Sequence, residues 1–115
     1  MFSRSERLES LLKTEIALAL QHMKDIGAKG LLTITDVELS QDRKTAHVFY
    51  SFLGSDHDRE LMGNALRAQA WLLRGIVKKR IYLKVVPQLV FSYDDTPRRA
   101  SRIDELLHKI EKEHE

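Results

Sequence analysis

The chain has no cysteine among its 115 residues. This absence excludes disulfide bonds, a thiolate nucleophile and a cysteine-based zinc site. No run of about 18 apolar residues occurs, so no segment is predicted to span a membrane. The N-terminus, Met-Phe-Ser-Arg-Ser-Glu-Arg, lacks the apolar stretch of a signal peptide. With 43% hydrophobic and 31% charged residues, the sequence predicts one globular domain in the cytoplasm.

The sequence motifs of catalytic centres are missing too. The five histidines are scattered, with no His-Glu-x-x-His pair, and neither a Gly-x-x-x-x-Gly-Lys loop nor a Gly-x-Ser-x-Gly elbow occurs. Asp94 and Asp95 are adjacent and could in principle hold a metal ion or act as acid and base. Since neighbouring residues on a strand point to opposite faces, a turn or cap before Thr96 is the better interpretation. We therefore predict that the protein is not an enzyme and uses no metal ion or cofactor.

Acidic residues are absent from one long segment. Residues 61–93 contain six basic residues and no Asp or Glu, whereas residues 1–60 and 94–115 each carry a net charge of −2. The whole chain has a net charge of only +2, so its positive charge is concentrated in the middle. Concentrated positive charge is what a surface needs to displace counterions from a phosphate backbone.

The basic segment also has the periodicity of an amphipathic helix. At about 100° per residue, Arg67, Trp71, Arg74 and Lys78 fall on one side of a helix over residues 61–78, and we call these four residues the basic stripe. An apolar side wide enough to cover a core is formed by Leu61, Met62, Ala65, Leu66, Leu72, Leu73, Ile76 and Val77. Such a charged side is often only solvated. Cations around an aromatic ring also suit phosphate contacts and base stacking.

Gln69 interrupts the apolar side of this helix. A continuous buried helix would not place an amide there, so we predict a break or kink around Ala68–Trp71 that divides the segment into two shorter helices. Gly63 and Gly75 weaken each half by about 1 kcal/mol relative to Ala, and packing must supply the rest of the stability.

Helices are predicted at both ends of the chain. Ser3 and Glu6 have the spacing of a capping box, and Gly27 and Gly30 are expected to end the helix that starts there. Its apolar side comprises Leu8, Leu11, Leu12, Ile16, Ala19, Leu20 and Met23. A last helix is predicted from about Ser101. Its apolar residues are Ile103, Leu106, Leu107 and Ile110.

Three strands are predicted between these helices. Residues 31–39 form the first, and a change of alternation at Asp36 indicates a bulge. Residues 45–52 alternate cleanly and form the second strand, whereas residues 85–93 form the third. Pro87 indicates that the third strand is an edge strand or that it starts near the proline.

The predicted order is helix, strand, strand, two helices, strand and a C-terminal helix, with Ser55 and Asp58 placed to cap the first of the paired helices. The two helices make a crossover long enough for parallel pairing of the second and third strands. We therefore predict an α+β fold with a three-stranded mixed sheet covered by helices on one face. This topology resembles a type II KH domain, a fold that commonly binds single-stranded RNA beside its paired helices.

The sequence resembles the ribosome-binding factor A family over about 100 residues. The matching segments are Arg4 with Arg7, Ile34-Thr35-Asp36-Val37-Glu38-Leu39-Ser40, Ala46-His47-Val48-Phe49-Tyr50-Ser51, Ala65-Leu66, Leu72-Leu73-Arg74, Leu83-Lys84-Val85-Val86-Pro87-Gln88-Leu89-Val90-Phe91-Ser92-Tyr93-Asp94, Arg102-Ile103 and Leu106-Leu107. No Gly-x-x-Gly loop lies between the paired helices. The family's Ala-x-Gly kink is matched to Gln69-Ala70-Trp71, with Trp71 in place of Gly.

The resemblance implies an assembly factor that binds the free small ribosomal subunit and assists late maturation and 5′-end processing of its rRNA. It implies a KH-like RNA-binding domain over residues 1–100, with residues 101–115 as the helical tail of the same domain, a monomeric state, and release helped by a GTPase. The candidate RNA-binding residues are Arg67, Trp71, Arg74, Lys78, Lys79, Arg80, Lys84, Arg4 and Arg7. The alternative is a basic amphipathic-helix module that binds an acidic partner or a membrane surface.

Overall fold

The computed structural model describes residues 3–21, 29–83 and 85–95. In chain order its elements are α1 (Arg4–Leu20), β1 (Gly30–Leu39), β2 (Thr45–Gly54), α2 (Asp56–Ala68), α3 (Ala70–Arg80) and β3 (Gln88–Tyr93). This order confirms the predicted one as far as β3. The C-terminal helix expected from Ser101, and Met23 and Gly27 at the end of the first helix, lie outside the described residues.

The three strands form one mixed sheet in the order β1-β2-β3. β1 pairs antiparallel with β2, and β2 pairs parallel with β3. The register of the first pair shifts between Ile34 and Asp36, which confirms the predicted bulge. β3 begins at Gln88, three residues later than residue 85, because Pro87 has no N–H to donate to the sheet.

The core lies between the sheet and the three helices. Along β2, Ala46, Val48, Tyr50 and Phe52 are buried, whereas the alternate residues His47 and Leu53 are exposed. The helices contribute the other half of the core through Leu12, Ile16, Ala19, Met62, Leu66, Leu73 and Val77. The helices therefore cover one face of the sheet, as predicted from the sequence.

Serine hydroxyl groups cap the first two helices. Ser3 Oγ accepts a hydrogen bond from the backbone N–H of Glu6 at 3.1 Å, and Ser55 Oγ accepts one from the N–H of Asp58 at 3.1 Å. The Ser55 hydroxyl also donates to the Asp58 carboxylate at 2.8 Å and lowers the pKa of that carboxyl group. Both caps satisfy backbone donors that the first turn of a helix leaves without a partner, as the spacing of these residues predicted.

The long basic segment is broken at Gln69, which confirms the predicted division into two helices. Gln69 has φ −102° and ψ 8°, so it ends α2 and caps α3. The break is therefore centred on Gln69, between Ala68 and Ala70, whereas the expected match Gln69-Ala70-Trp71 was centred one residue later. Trp71 is part of α3. The expected burial of Leu72 is wrong: its side chain is 59% exposed, whereas Leu73 and Val77 of the same helix are buried.

Candidate RNA interface

The last turn of α3 carries three cations in succession. Lys78, Lys79 and Arg80 end this helix, where the negative end of the helix dipole stabilises positive charge. Lys78 and Lys79 are exposed. Within residues 3–21, 29–83 and 85–95, neither forms an ion pair, so both positive charges are available to an anion.

Arg80 differs from the two lysines because it contacts another helix. Its Nε donates a hydrogen bond to the carboxylate of Glu15 on α1. The Glu15 side chain is the less exposed partner, at 16% against 43% for Arg80. The charge of Arg80 is therefore partly neutralised by Glu15, and the contact between the two side chains joins α3 to α1.

Trp71 and Arg74 form a packed pair on α3. The Arg74 guanidinium carbon lies 5.2 Å from the centroid of the indole ring, in the range of a cation–π contact. The Trp71 side chain is nevertheless 78% exposed. The ring is thus supported by Arg74 and remains open to solvent, which is the state a stacking surface for an RNA base requires.

Arg74 also makes the strongest contact of the basic stripe with the rest of the fold. Its Nε and Nη2 donate hydrogen bonds to the carbonyl oxygen of Val86 at 3.0 and 2.8 Å. Val86 is buried just before β3. Arg74 therefore joins α3 to the segment that leads into the sheet, and only part of its guanidinium group remains for a ligand.

Arg67 lies on the other side of the break, in the last turn of α2. Its Nη2 donates a hydrogen bond to Asn64 Oδ1 at 2.9 Å, and its side chain is exposed. The basic stripe, derived from one continuous helix, is therefore divided between two helices. Arg67 lies next to the junction at the end of α2, Trp71 lies next to it at the start of α3, and Arg74 and Lys78 follow farther along α3.

The N-terminal arginines form a separate group. Arg4 and Arg7 are both exposed in the first two turns of α1. Arg7 precedes Glu15, the partner of Arg80, by eight residues, which is about 12 Å along the helix axis. These two arginines and the last turn of α3 are thus different parts of the surface. Lys84, the remaining candidate, lies outside the described residues.

Metal-binding clusters and membrane-spanning helices were not found in the part of the chain that the structure describes. No group of three His, Asp or Glu side chains there could hold a metal ion. No described helix combines the length and the apolar character that crossing a membrane requires. The exposed side chains of Lys78, Lys79 and Trp71 offer positive charge for anions and a ring for stacking.

Known proteins similar to this chain agree on one family. The family model described as ribosome-binding factor A matches residues 4–107. The chain is 38% identical over 114 residues to ribosome-binding factor A of Thermodesulfovibrio yellowstonii, covering 99% of this chain and 96% of that protein. It is 35% identical over 113 residues to ribosome-binding factor A of Halothermothrix orenii, covering 97% of this chain and 92% of that protein. The chain belongs to the ribosome-binding factor A family.

Solved structures of ribosome-binding factor A share the fold described above. The crystal structure of the Thermus thermophilus factor aligns with a TM-score of 0.68 and 25% identity, over 79% of this chain and 97% of that one. A homology model of the Thermus thermophilus factor, fitted into a cryo-EM map of a complex with the 30S subunit, aligns with a TM-score of 0.67 and 26% identity over 77% and 93%. The KH-like topology expected from the sequence is therefore confirmed.

Proposed function

We propose that this chain is an RNA-binding assembly factor of the free small ribosomal subunit. It assists the late maturation of the subunit's rRNA, including processing near the 5′ end. Membership of the ribosome-binding factor A family over residues 4–107 is the observation that carries this function. A Thermus thermophilus member of this family was fitted into a map of its complex with the 30S subunit, which supports the same partner for this chain.

In this function α3 contacts the rRNA along its length, from Trp71 in its first turn to Lys78 and Lys79 in its last. Lys78 and Lys79 hold phosphate groups, since their charges are exposed and without an ion pair among the described residues. Trp71 stacks on a base. The other proposed contacts are Arg67, Arg74, Arg80, Lys84, Arg4 and Arg7, with residues 1–100 forming the RNA-binding domain and residues 101–115 its helical tail.

The proposed factor is a binding protein and not an enzyme, and it acts in the cytoplasm as a monomer. Its sequence contains no Gly-x-x-x-x-Gly-Lys loop for a nucleotide. The energy for release from the finished subunit must then come from outside, which suits the action of a GTPase on the complex.

The alternative, a basic amphipathic module for an acidic partner or a membrane surface, is not favoured. Such a module needs an apolar side that is free to enter a groove or a lipid layer. The apolar residues Leu73 and Val77 of α3 and Leu66 of α2 are instead fully buried in the core of this protein.

Deletion of the gene tests the assembly role. Ribosome profiles and precursor rRNA are compared in the deletion strain at low and optimal temperature. We expect an excess of free small subunits and unprocessed 5′ ends, most marked in the cold, because mispaired RNA helices open more slowly there. Normal subunits and fully processed rRNA at both temperatures would contradict the assembly role.

A second experiment locates the protein on the subunit. Sucrose-gradient fractionation should place it with free small subunits. Chemical footprinting of the rRNA with and without the protein then identifies the contacted helices. A Lys78→Gln, Lys79→Gln double variant should lose protections that a Lys13→Gln control on α1 retains.

A further inference from the structure

The loop between α3 and β3 displays an aromatic residue on an anchored backbone. Ile81 is buried at its start, and Val86 and Pro87 are buried at its end. Between these anchors the Tyr82 side chain is fully exposed and Val85 is 67% exposed. The buried residues at both ends limit the backbone entropy that the loop would lose on binding, and the exposed tyrosine ring is accessible to a partner, so Tyr82 is suited to be a contact residue.

Three hydrogen bonds hold the described residues of this loop. The backbone N–H of Leu83 donates to the carbonyl oxygen of Ile81 at 2.9 Å and closes a tight turn around Tyr82. The Arg74 guanidinium group holds the carbonyl oxygen of Val86 from α3. Tyr82 therefore lies between two held ends of the loop, and its ring does not pack against the described core.

The same loop forms one wall of a shallow cleft of about 330 Å³. Its apolar floor consists of Leu8, Leu83, Val85 and Pro87. The β1–β2 turn supplies the polar rim through Asp42, Arg43 and Lys44. We call this the turn–loop cleft, and Tyr82 directly precedes its wall residue Leu83.

Hydrogen bonds to β3 and α1 fix the position of Arg43 and Lys44 at the rim of the cleft. The backbone N–H of Gln88 donates to the carbonyl oxygen of Lys44 at 2.9 Å, which ties the turn to the start of β3. Arg43 Nη2 donates to Ser5 Oγ at 3.3 Å and brings the turn to the first turn of α1. That turn carries the exposed side chain of Arg4, with Arg7 following.

The charge around the turn–loop cleft is mainly positive. Its rim carries the two cations Arg43 and Lys44 against one acidic residue, Asp42. The Asp42 carboxylate accepts hydrogen bonds from Ser40 Oγ at 2.6 Å and from the Lys44 N–H at 3.0 Å, and the Ser40 bond is the main cause of its lowered pKa. Asp42 thus shapes the turn that displays Arg43 and Lys44, although its own charge opposes an anion.

We propose that Tyr82 and the turn–loop cleft form a second RNA contact. An unpaired nucleotide stacks its base on the Tyr82 ring, and the adjoining phosphates lie at Arg43 and Lys44. An exposed aromatic ring that directly precedes the wall of a cleft with cations on its rim supplies the two requirements of single-stranded RNA, stacking and neutralisation of phosphate. The inference rests on the proposed function, because it names a further site for the same rRNA partner.

This contact is separate from the Trp71 surface. The two aromatic residues are 11 positions apart, and α3 extends for about 14 Å between Trp71 and its end at Arg80. Tyr82 instead follows the last turn of α3, so the second contact would extend the surface of Lys78 and Lys79 towards the β1–β2 turn. Sequence reasoning missed the second contact because Tyr82 follows the helix and Arg43 and Lys44 lie outside the acid-free segment.

Photo-crosslinking tests which molecule Tyr82 contacts. Tyr82→p-azidophenylalanine and, as a control, Leu53→p-azidophenylalanine are bound to purified small subunits and irradiated. Leu53 is also highly exposed, at 76%, but lies at the end of β2. We expect crosslinks to rRNA from position 82 well above those from position 53. Crosslinks only to ribosomal protein, or no excess over the control, would overturn the proposal.

Affinity measurements test the chemistry of the contact. Tyr82→Ala should weaken binding to small subunits by about 5- to 150-fold at an unchanged melting temperature, whereas Tyr82→Phe should bind like the unchanged protein. Lys44→Gln should reduce the slope of log affinity against log salt by about 0.7–0.9. Since Arg43 has a left-handed backbone with φ 59°, Lys44 is the better choice for removing a charge without disturbing the turn.

These results separate the inference from the proposed function. If Tyr82→Ala binds normally while the Lys78→Gln, Lys79→Gln variant is weakened, the second contact is wrong and the assembly factor remains. If the unchanged protein does not bind small subunits, both are wrong.

Discussion

The guanidinium group of Arg74 donates two hydrogen bonds, of 3.0 and 2.8 Å, to the carbonyl oxygen of Val86. This contact joins the middle of α3 to the segment that enters β3. Its donor belongs to the basic stripe, so one residue serves both the fold and the proposed interface. Substitutions in the stripe must therefore be divided into those that disturb the fold and those that only remove charge.

Arg74→Ala should destabilise the protein. The change removes both hydrogen bonds and leaves a carbonyl group of the buried Val86 without its partner, which costs about 1.5–3 kcal/mol for a bond to a charged donor. Urea unfolding measures the free energy of unfolding. The matched control is Lys78→Ala, an exposed change one turn later in α3, with an expected effect within about 0.5 kcal/mol. Equal stability of the two variants would show that the contact contributes nothing to the fold.

Lys78 and Lys79 should determine the salt dependence of binding. Each phosphate contact that a Lys→Gln change removes lowers the slope of log affinity against log salt by about 0.7–0.9, the range between single-stranded nucleic acid and duplex. Binding to small subunits is titrated over a series of potassium concentrations. Lys13→Gln on α1 has the same change in net charge and should leave the slope unchanged. If all three variants shift equally, net charge and not this site governs binding.

Trp71→Ala should weaken binding with little effect on stability. The indole is 78% exposed, so its removal costs the core little, whereas removal of a base stack reduces binding by about 1–3 kcal/mol. Leu72→Ala is the control, because Leu72 is the next residue in the chain and is 59% exposed but has no aromatic ring to stack. Binding and melting temperature are measured for both. A lower melting temperature at full affinity would assign Trp71 to the helix junction instead.

Gly63 and Gly75 should respond in opposite directions to replacement by Ala. A Cβ atom at Gly63 would lie 2.7 Å from the hydroxyl oxygen of Tyr50. Tyr50 is buried and packs edge-on against Tyr93, with ring centroids 5.8 Å apart, so it has little room to move. Gly63→Ala should therefore destabilise by about 1–3 kcal/mol, as overpacking does.

Gly75 provides the matched control for that change. Apart from its chain neighbours and the backbone of α3 itself, no described atom lies within 4 Å of a Cβ placed there, and the residue is exposed in the interior of α3. Gly75→Ala should therefore stabilise the protein by about 0.5–1 kcal/mol through helix propensity alone. Thermal unfolding of both variants gives the comparison. A stabilised Gly63→Ala variant would mean that Tyr50 moves aside at no cost.

Local features of the fold followed from the sequence. Ser3 and Ser55 cap the helices they were expected to cap, the bulge falls beside Asp36, and the helix breaks at Gln69. Each of these depends on residues a few positions apart, whose backbone preferences and hydrogen bonds act within one turn or one strand pair. Predictions of this kind succeed because tertiary contacts reinforce the local preference and do not oppose it.

The amino-acid sequence also determined which segment carries the excess positive charge, since residues 61–93 lack acids whatever their fold. Only the tertiary structure decided how the individual cations are used. Arg80 pairs with Glu15 across 65 positions and Arg74 with Val86 across 12, whereas Tyr82 is fully exposed between the buried residues Ile81 and Val86. Periodicity within one helix contains no information about such partners, because they come from other elements that packing brings alongside α3.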